Sequence, residues 1–122
     1  MLSVTKKFDF AYAHKLLGYD GKCKNLHGHT GHLEVELIST ETTEKLCNYN
    51  GMIIDFGDLK RLVNETVIDK LDHHYLNDFI EIPTAENMVE WVVAELHNVF
   101  GYSLQRVRIY ETPTSYAEWK RT

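Results

Sequence analysis

At 122 residues, with 43% hydrophobic and 25% charged side chains, the chain has an ordinary globular balance, and its size predicts one domain over residues 1–122. A net charge of −5 argues against the clustered basic face of a nucleic-acid surface. No apolar run approaches the roughly 18 residues that cross a bilayer, and no signal-length apolar segment follows Lys6 and Lys7. Two cysteines, Cys23 and Cys47, are too few for a disulfide framework, so a reducing cytoplasm is expected.

Residues 2–13 alternate, with Phe8, Phe10 and Tyr12 on one parity and Asp9, Ala11 and Ala13 on the other, which predicts a strand. Residues 15–25, with Gly18, Asp20 and Gly21, read as a loop. Alternation resumes over 26–39, where Leu33, Val35 and Leu37 face one way and Glu34 and Glu36 the other. Residues 41–51 are polar and read as a ragged loop, and Gly51 to Phe56 leads into a helix over roughly 57–70, with Leu59, Leu62, Val63, Val67 and Leu71 at helical spacing. Thr84 is placed to cap a second helix after Pro83, with Glu86 in its first turn, an apolar stripe from Val89 to Phe100, and Gly101 as the stop. Strands follow over 104–111 and 116–120, separated by Thr112-Pro113-Thr114-Ser115.

The order strand, strand, helix, helix, strand, strand predicts an α+β fold: a four-stranded antiparallel sheet with both helices on one face. Such an open sheet has two unpaired edges, and edge-to-edge assembly into a closed β-barrel would cover them, which predicts an oligomer.

Seven histidines punctuate the chain, and the pair His27-Gly28-His29 carries the most information. Side chains at i and i+2 point to the same side of a strand, with Cα atoms roughly 6.5–7 Å apart, so both imidazoles can meet one ion. His14 closes the preceding strand-like run and is a candidate third ligand. Three histidines leave a coordination position open, as in a catalytic rather than a structural zinc site. Neutral imidazole suits zinc best, and iron, nickel and copper also accept it. His32, His74 and His97 read as surface or hydrogen-bonded residues.

Cys23 has three readings: a fourth zinc ligand, an inert buried thiol, or a reactive thiolate with its pKa depressed by a nearby cation. Cys47 has no partner motif and reads as inert. Asp72-His73-His74 follows the first helix; an acid beside a histidine fixes its tautomer, and folded next to Cys23 the set becomes a proton relay. Glu111 shares the parity of Val107 and Ile109, so it should face inward, where a carboxylate wants a planar donor pair such as arginine or an amino-pyrimidinone ring. Lys22, Lys24 and Arg106 are candidate cations for an anionic substrate.

Taken together, these segments resemble the 6-pyruvoyl-tetrahydropterin synthase / 6-carboxy-tetrahydropterin synthase family. The resemblance rests on Phe10-Ala11-Tyr12-Ala13-His14, Cys23-x-x-x-His27-Gly28-His29, Gly51 to Phe56, Leu71 to Asn77, Pro83 to Asn87 and Tyr110-Glu111-Thr112, six motifs in order along essentially the whole chain. It departs from the family pattern at Gly31, where many relatives carry a bulkier residue. The resemblance implies the tunnelling fold, in which trimers close a β-barrel and pair into homohexamers with active sites at subunit interfaces. It also implies His14, His27 and His29 as zinc ligands; Cys23, Asp72 and His73 as the catalytic triad; Glu111 as the anchor of a pterin ring; and Glu86 and Thr84 as lining its pocket.

The implied substrate is 7,8-dihydroneopterin triphosphate. One branch of the family converts it to 6-carboxy-5,6,7,8-tetrahydropterin with loss of triphosphate and acetaldehyde, on the route to queuosine; compact length and the wording of Leu71 to Asn77 favour this branch. The other branch eliminates triphosphate to give the 6-pyruvoyl product. A zinc-stabilised module that binds a pterin or purine without turnover is a third reading, one that would have no need of Cys23, Asp72 and His73.

Overall fold

The computed structural model describes residues 1–18, 21 and 25–122. Strands β1 (Ser3–His14) and β2 (His27–Ile38) pair antiparallel along their full length, from Ser3 opposite Ile38 to His14 opposite His27, with no bulge. β4 (Leu104–Thr112) pairs with β2, and β5 (Ser115–Lys120) pairs with β4. The sheet has five strands and not the four expected. The additional member, β3 (His74–Tyr75), lies parallel to β1 opposite Tyr12 and Ala13, giving the order β3-β1-β2-β4-β5. Two residues carry no periodicity, so only their tertiary pairing makes them a strand.

The alternating apolar side chains of β1, β2 and β4 share one face. Phe10, Leu33, Val35, Leu37, Val107 and Ile109 are buried there against the helices. Helix α2 (Phe56–Val63) starts on Asp55, whose carboxylate accepts from Gly57 N and Asp58 N. It continues through a π-helical segment, Asn64–Ile68, into α3 (Asp69–Leu71), so the helical path covers the expected range and buries Leu59, Val63, Val67 and Leu71. Helix α4 (Ala85–Phe100) is capped by Thr84, whose Oγ1 accepts from Asn87 N at 3.2 Å. It buries Met88, Val89, Val92, Leu96 and Phe100. Gly101, at φ 54°, ends it with its N–H on His97 O, a conformation that glycine adopts without penalty. Each such fully buried apolar side chain contributes about 1.5–3 kcal/mol.

Residues 41–51 differ from expectation, because Glu41–Leu46 forms a short helix, α1. A reciprocal cap between Thr40 and Thr43, together with a hydrogen bond from Thr40 to buried Ser103, holds it without an apolar stripe.

The opposite sheet face is charged. Arg106 lies 3.2 Å from Glu34, 3.4 Å from Glu36 and 3.5 Å from Glu118, and Arg108 lies 2.7 Å from Glu118. Arg106 is therefore committed to three carboxylates, which removes it as a free cation for an anionic substrate. Among the described residues, β1 has a strand partner on its outer side only at Tyr12 and Ala13, and β5 has none beyond β4. No helix among the described residues is long and apolar enough to cross a membrane.

Candidate metal centre and adjoining cleft

The β1–β2 hairpin brings the three histidines together. His14 sits opposite His27, and Tyr12 sits opposite His29. With no bulge at Gly31, His27 and His29 keep the parity of Leu33 and point to the helix face. Glu111 follows Tyr110, which pairs with His32, and shares the parity of Ile109, so its carboxylate reaches the same end of that face. The donor atoms of His14, His27, His29 and Glu111 all lie within 4.8 Å of one another. His14 Nε2 is 2.8 Å from His27 Nε2, and His29 Nε2 is 3.1 Å from Glu111 Oε1.

The surroundings fix which nitrogens face inward. His14 Nδ1–H donates to Pro83 O at 2.7 Å, and His27 Nδ1–H donates to Asn25 O at 2.6 Å. Each ring then turns an Nε2 lone pair toward the other. Two lone pairs at 2.8 Å repel unless a cation or a proton lies between them, while a backbone carbonyl on the far nitrogen is how a metal-binding imidazole is oriented. His29 Nε2 is buried and makes no hydrogen bond. Burial, the largest influence, holds the pKa values of both His14 and His29 below the ordinary histidine value of 6.5, keeping them neutral and able to donate to a metal. The donor set fits a divalent ion of the zinc type. Tyr12 packs against two of the rings, stacked on His29 at 5.4 Å and edge-on to His14 at 5.3 Å.

Beside the cluster, a cleft of about 570 Å³ runs between the start of α4 and β5. Glu86, Glu90, Glu111, Tyr116 and Trp119 are among the residues lining it. Glu86 and Glu111 thus share one cavity. Thr84 is spent on the helix cap, and the cleft wall begins with Ala85.

Asp72 and His73 stand apart from the histidines. Asp72 Oδ1 accepts from Ala11 N at 2.8 Å, and His73 N donates to Ala11 O, which fastens the pair to the outer edge of β1. Ala11 is three residues before His14, about 10 Å along a strand. Asp72 Oδ2 lies 3.0 Å from His73 Nδ1. The Ala11 N–H, and after it the His73 ring, hold the Asp72 carboxyl below the usual carboxylate range. His73 adopts φ 59° with its side chain 81% exposed, a left-handed backbone uncommon for a residue with a Cβ. Cys23, Lys22 and Lys24 lie outside the described residues. Cys47 is half-buried and packs against the core.

Several contributors escaped the sequence reading. Pro83 O and Asn25 O are backbone atoms with no side-chain signature. Asn77 clamps the chain after His14, accepting from Lys15 N at 2.9 Å and donating to Lys15 O at 2.8 Å. For Glu111 the sequence suggests an arginine or a planar ring as partner, and the inward parity that suggests it also brings the carboxylate to the imidazoles of His14 and His29.

The sheet gathers three histidines and a carboxylate at one end, a donor group that could hold a metal ion, beside an acid-lined cleft of small-molecule size. The chain belongs to the family described as 6-pyruvoyl tetrahydropterin synthase, whose family model matches residues 3–122. It is 33% identical over 142 aligned residues to the 6-carboxy-5,6,7,8-tetrahydropterin synthase of Haemophilus influenzae, covering 98% of this chain and 99% of that protein. It is 36% identical to the protein of the same name from Synechocystis, covering 98% and 93%. Among solved structures, the 6-pyruvoyl tetrahydropterin synthase of Caenorhabditis elegans superposes with a TM-score of 0.82 at 26% identity, covering 99% of this chain and 96% of that one.

Proposed function

We propose that the protein is a zinc-dependent carbon–oxygen lyase that converts 7,8-dihydroneopterin triphosphate and water to 6-carboxy-5,6,7,8-tetrahydropterin, triphosphate and acetaldehyde, on the cytoplasmic route to 7-deazaguanine nucleosides such as queuosine. The observation that carries this reading is the convergence of His14, His27 and His29 beside Glu111, with the outer nitrogens of His14 and His27 on backbone carbonyls. The names of the Haemophilus and Synechocystis relatives favour the carboxy product.

When bound by the three histidines, zinc supplies Lewis acidity toward the hydroxylated side chain of the substrate. The chain's own groups do the rest. Glu111 and Glu86 line one cleft and accept the N–H groups of the ring's amino-pyrimidinone edge. Thr84 fixes the start of the helix that carries Glu86. Cys23, as a thiolate, takes a proton from the side-chain carbon. Asp72 holds His73 Nδ1, which leaves Nε2 to receive and return that proton.

The exposed His73 is fastened to the outer edge of β1, where it is open to an adjoining subunit, which supports assembly through that edge. We take that assembly to be trimers closing a barrel and pairing into homohexamers.

The test is to incubate zinc-loaded protein with dihydroneopterin triphosphate and weigh the products. Acetaldehyde with a carboxypterin supports the proposal. A 6-pyruvoyl product would instead place the chain in the other branch, which the description of the matched family and the Caenorhabditis structure favour. Binding without turnover would make it a pterin-holding module and overturn the lyase reading.

A further inference from the structure

Within the proposed function Glu111 has one task, holding the ring of the substrate. Its position in the free protein gives it another. Glu111 Oε1 is 3.1 Å from His29 Nε2 and 3.7 Å from His14 Nε2, and His14 Nε2 is 2.8 Å from His27 Nε2. Donors around a tetrahedral ion with bonds of about 2.0–2.1 Å stand about 3.3–3.4 Å apart, and the three contacts straddle that value. The His29–Glu111 contact is close yet lacks the alignment of a hydrogen bond, since His29 Nε2 is buried without one. Both atoms belong to a group of four donors that all lie within 4.8 Å of one another.

Charge argues the same way. Among the described residues, the ion-pair partners of the Glu111 carboxylate are His14 and His29. Its side chain is 29% exposed, and among the described residues no arginine or lysine forms an ion pair with it. A divalent cation among the imidazoles would offset it.

We propose that in the substrate-free protein Glu111 is the fourth ligand of the metal held by His14, His27 and His29, and that it leaves the metal when a pterin ring engages its carboxylate. The inference rests on the metal reading of the preceding subsection. A ring that takes both carboxylate oxygens through its paired N–H groups draws Glu111 off the metal, so the open coordination position arises on ligand arrival. By linkage, a ring-only ligand lowers the affinity for metal by the same factor that the metal lowers the affinity for the ring.

The test replaces zinc with Co2+, whose visible absorption reports the donor set, in the intact protein and in Glu111→Gln and Glu111→Ala. Gln preserves shape at a half-exposed position, so folding is retained, as circular dichroism verifies. Chelator competition should give one Co2+ per chain in all three, with affinity roughly tenfold or more weaker in both variants, and an altered visible spectrum. Pterin itself, which lacks the hydroxylated side chain, should move the wild-type spectrum toward that of Glu111→Ala. Variants with wild-type affinity and spectrum would overturn the inference while leaving the three-histidine site standing. A wild-type protein that takes up no Co2+ and no zinc would overturn both.

Discussion

Gly31 sits in β2 opposite Phe10 of β1, and the Phe10 ring fills the space where a side chain at Gly31 would stand. A Cβ there would lie 2.7 Å from Phe10 Cζ and 3.0 Å from both Cε atoms, against an ordinary carbon contact of about 3.5–4.0 Å. Gly31→Ala therefore forces the ring to move by roughly 1 Å, and Phe10, 2% exposed, has no free volume to enter. Overpacking of this kind costs about 1–3 kcal/mol. Loss of glycine's freedom in the unfolded chain returns about 0.4–1 kcal/mol. The net loss is about 0–2.6 kcal/mol, a fall in Tm of up to roughly 12 °C for a chain of this size. The disturbance continues from Phe10 to Tyr12, whose rings are 5.3 Å apart, and from Tyr12 to His14 and His29, so metal affinity falls as well. Thermal unfolding of chelator-treated protein isolates the packing effect from stabilisation by bound metal. Adding Phe10→Leu makes room, and the pair should show coupling of at least about 0.5 kcal/mol. A Gly31→Ala protein as stable as its parent, with no coupling to Phe10, would refute the reasoning.

Three further outcomes follow from the site. Cys23→Ala should abolish turnover while metal stays at one per chain by elemental analysis; loss of metal with the thiol would make Cys23 a ligand. His27→Ala should lose metal and activity together, because it removes one of the three converging imidazoles. Asp72→Asn should lower kcat and also destabilise the chain at neutral pH. The folded-state pKa of Asp72 lies below its ordinary 3.8, so its ionised form contributes stability that is fully present above about pH 3.8 and is lost as pH falls through the lowered value. The stability gap between parent and variant, followed by denaturant titration against pH, should therefore close only below that pH; a gap that closes near neutrality would contradict this.

Much of the sheet was legible because alternation is a strong signal where one face is buried. Phe8, Phe10 and Tyr12 mark β1, and Leu33, Val35 and Leu37 mark β2; with the register unbroken at Gly31, His27 and His29 share the parity of Leu33. Thr84 and Gly101 marked both ends of α4. The elements missed are those held by distant partners. Helix α1 depends on Thr40 reaching Ser103, 63 residues away, and β3 exists only as a neighbour of Tyr12 and Ala13. Arg106 read as a free cation because its carboxylate partners Glu34 and Glu118 lie on other strands. In the site, residue type and spacing pointed to the histidines, while the carbonyls that orient them come from Pro83 and Asn25, and no side-chain pattern encodes a carbonyl's direction. The attachment of Asp72 to Ala11 N was equally hidden, since it joins residues 61 apart.

The most direct test of the central claim is to strip the protein with a chelator and follow the loss of dihydroneopterin triphosphate as zinc is returned. Turnover should vanish on stripping and recover in proportion to zinc, saturating at one equivalent per chain, with no recovery in His27→Ala. Turnover that persists in fully stripped protein, or that returns equally in His27→Ala, would contradict it.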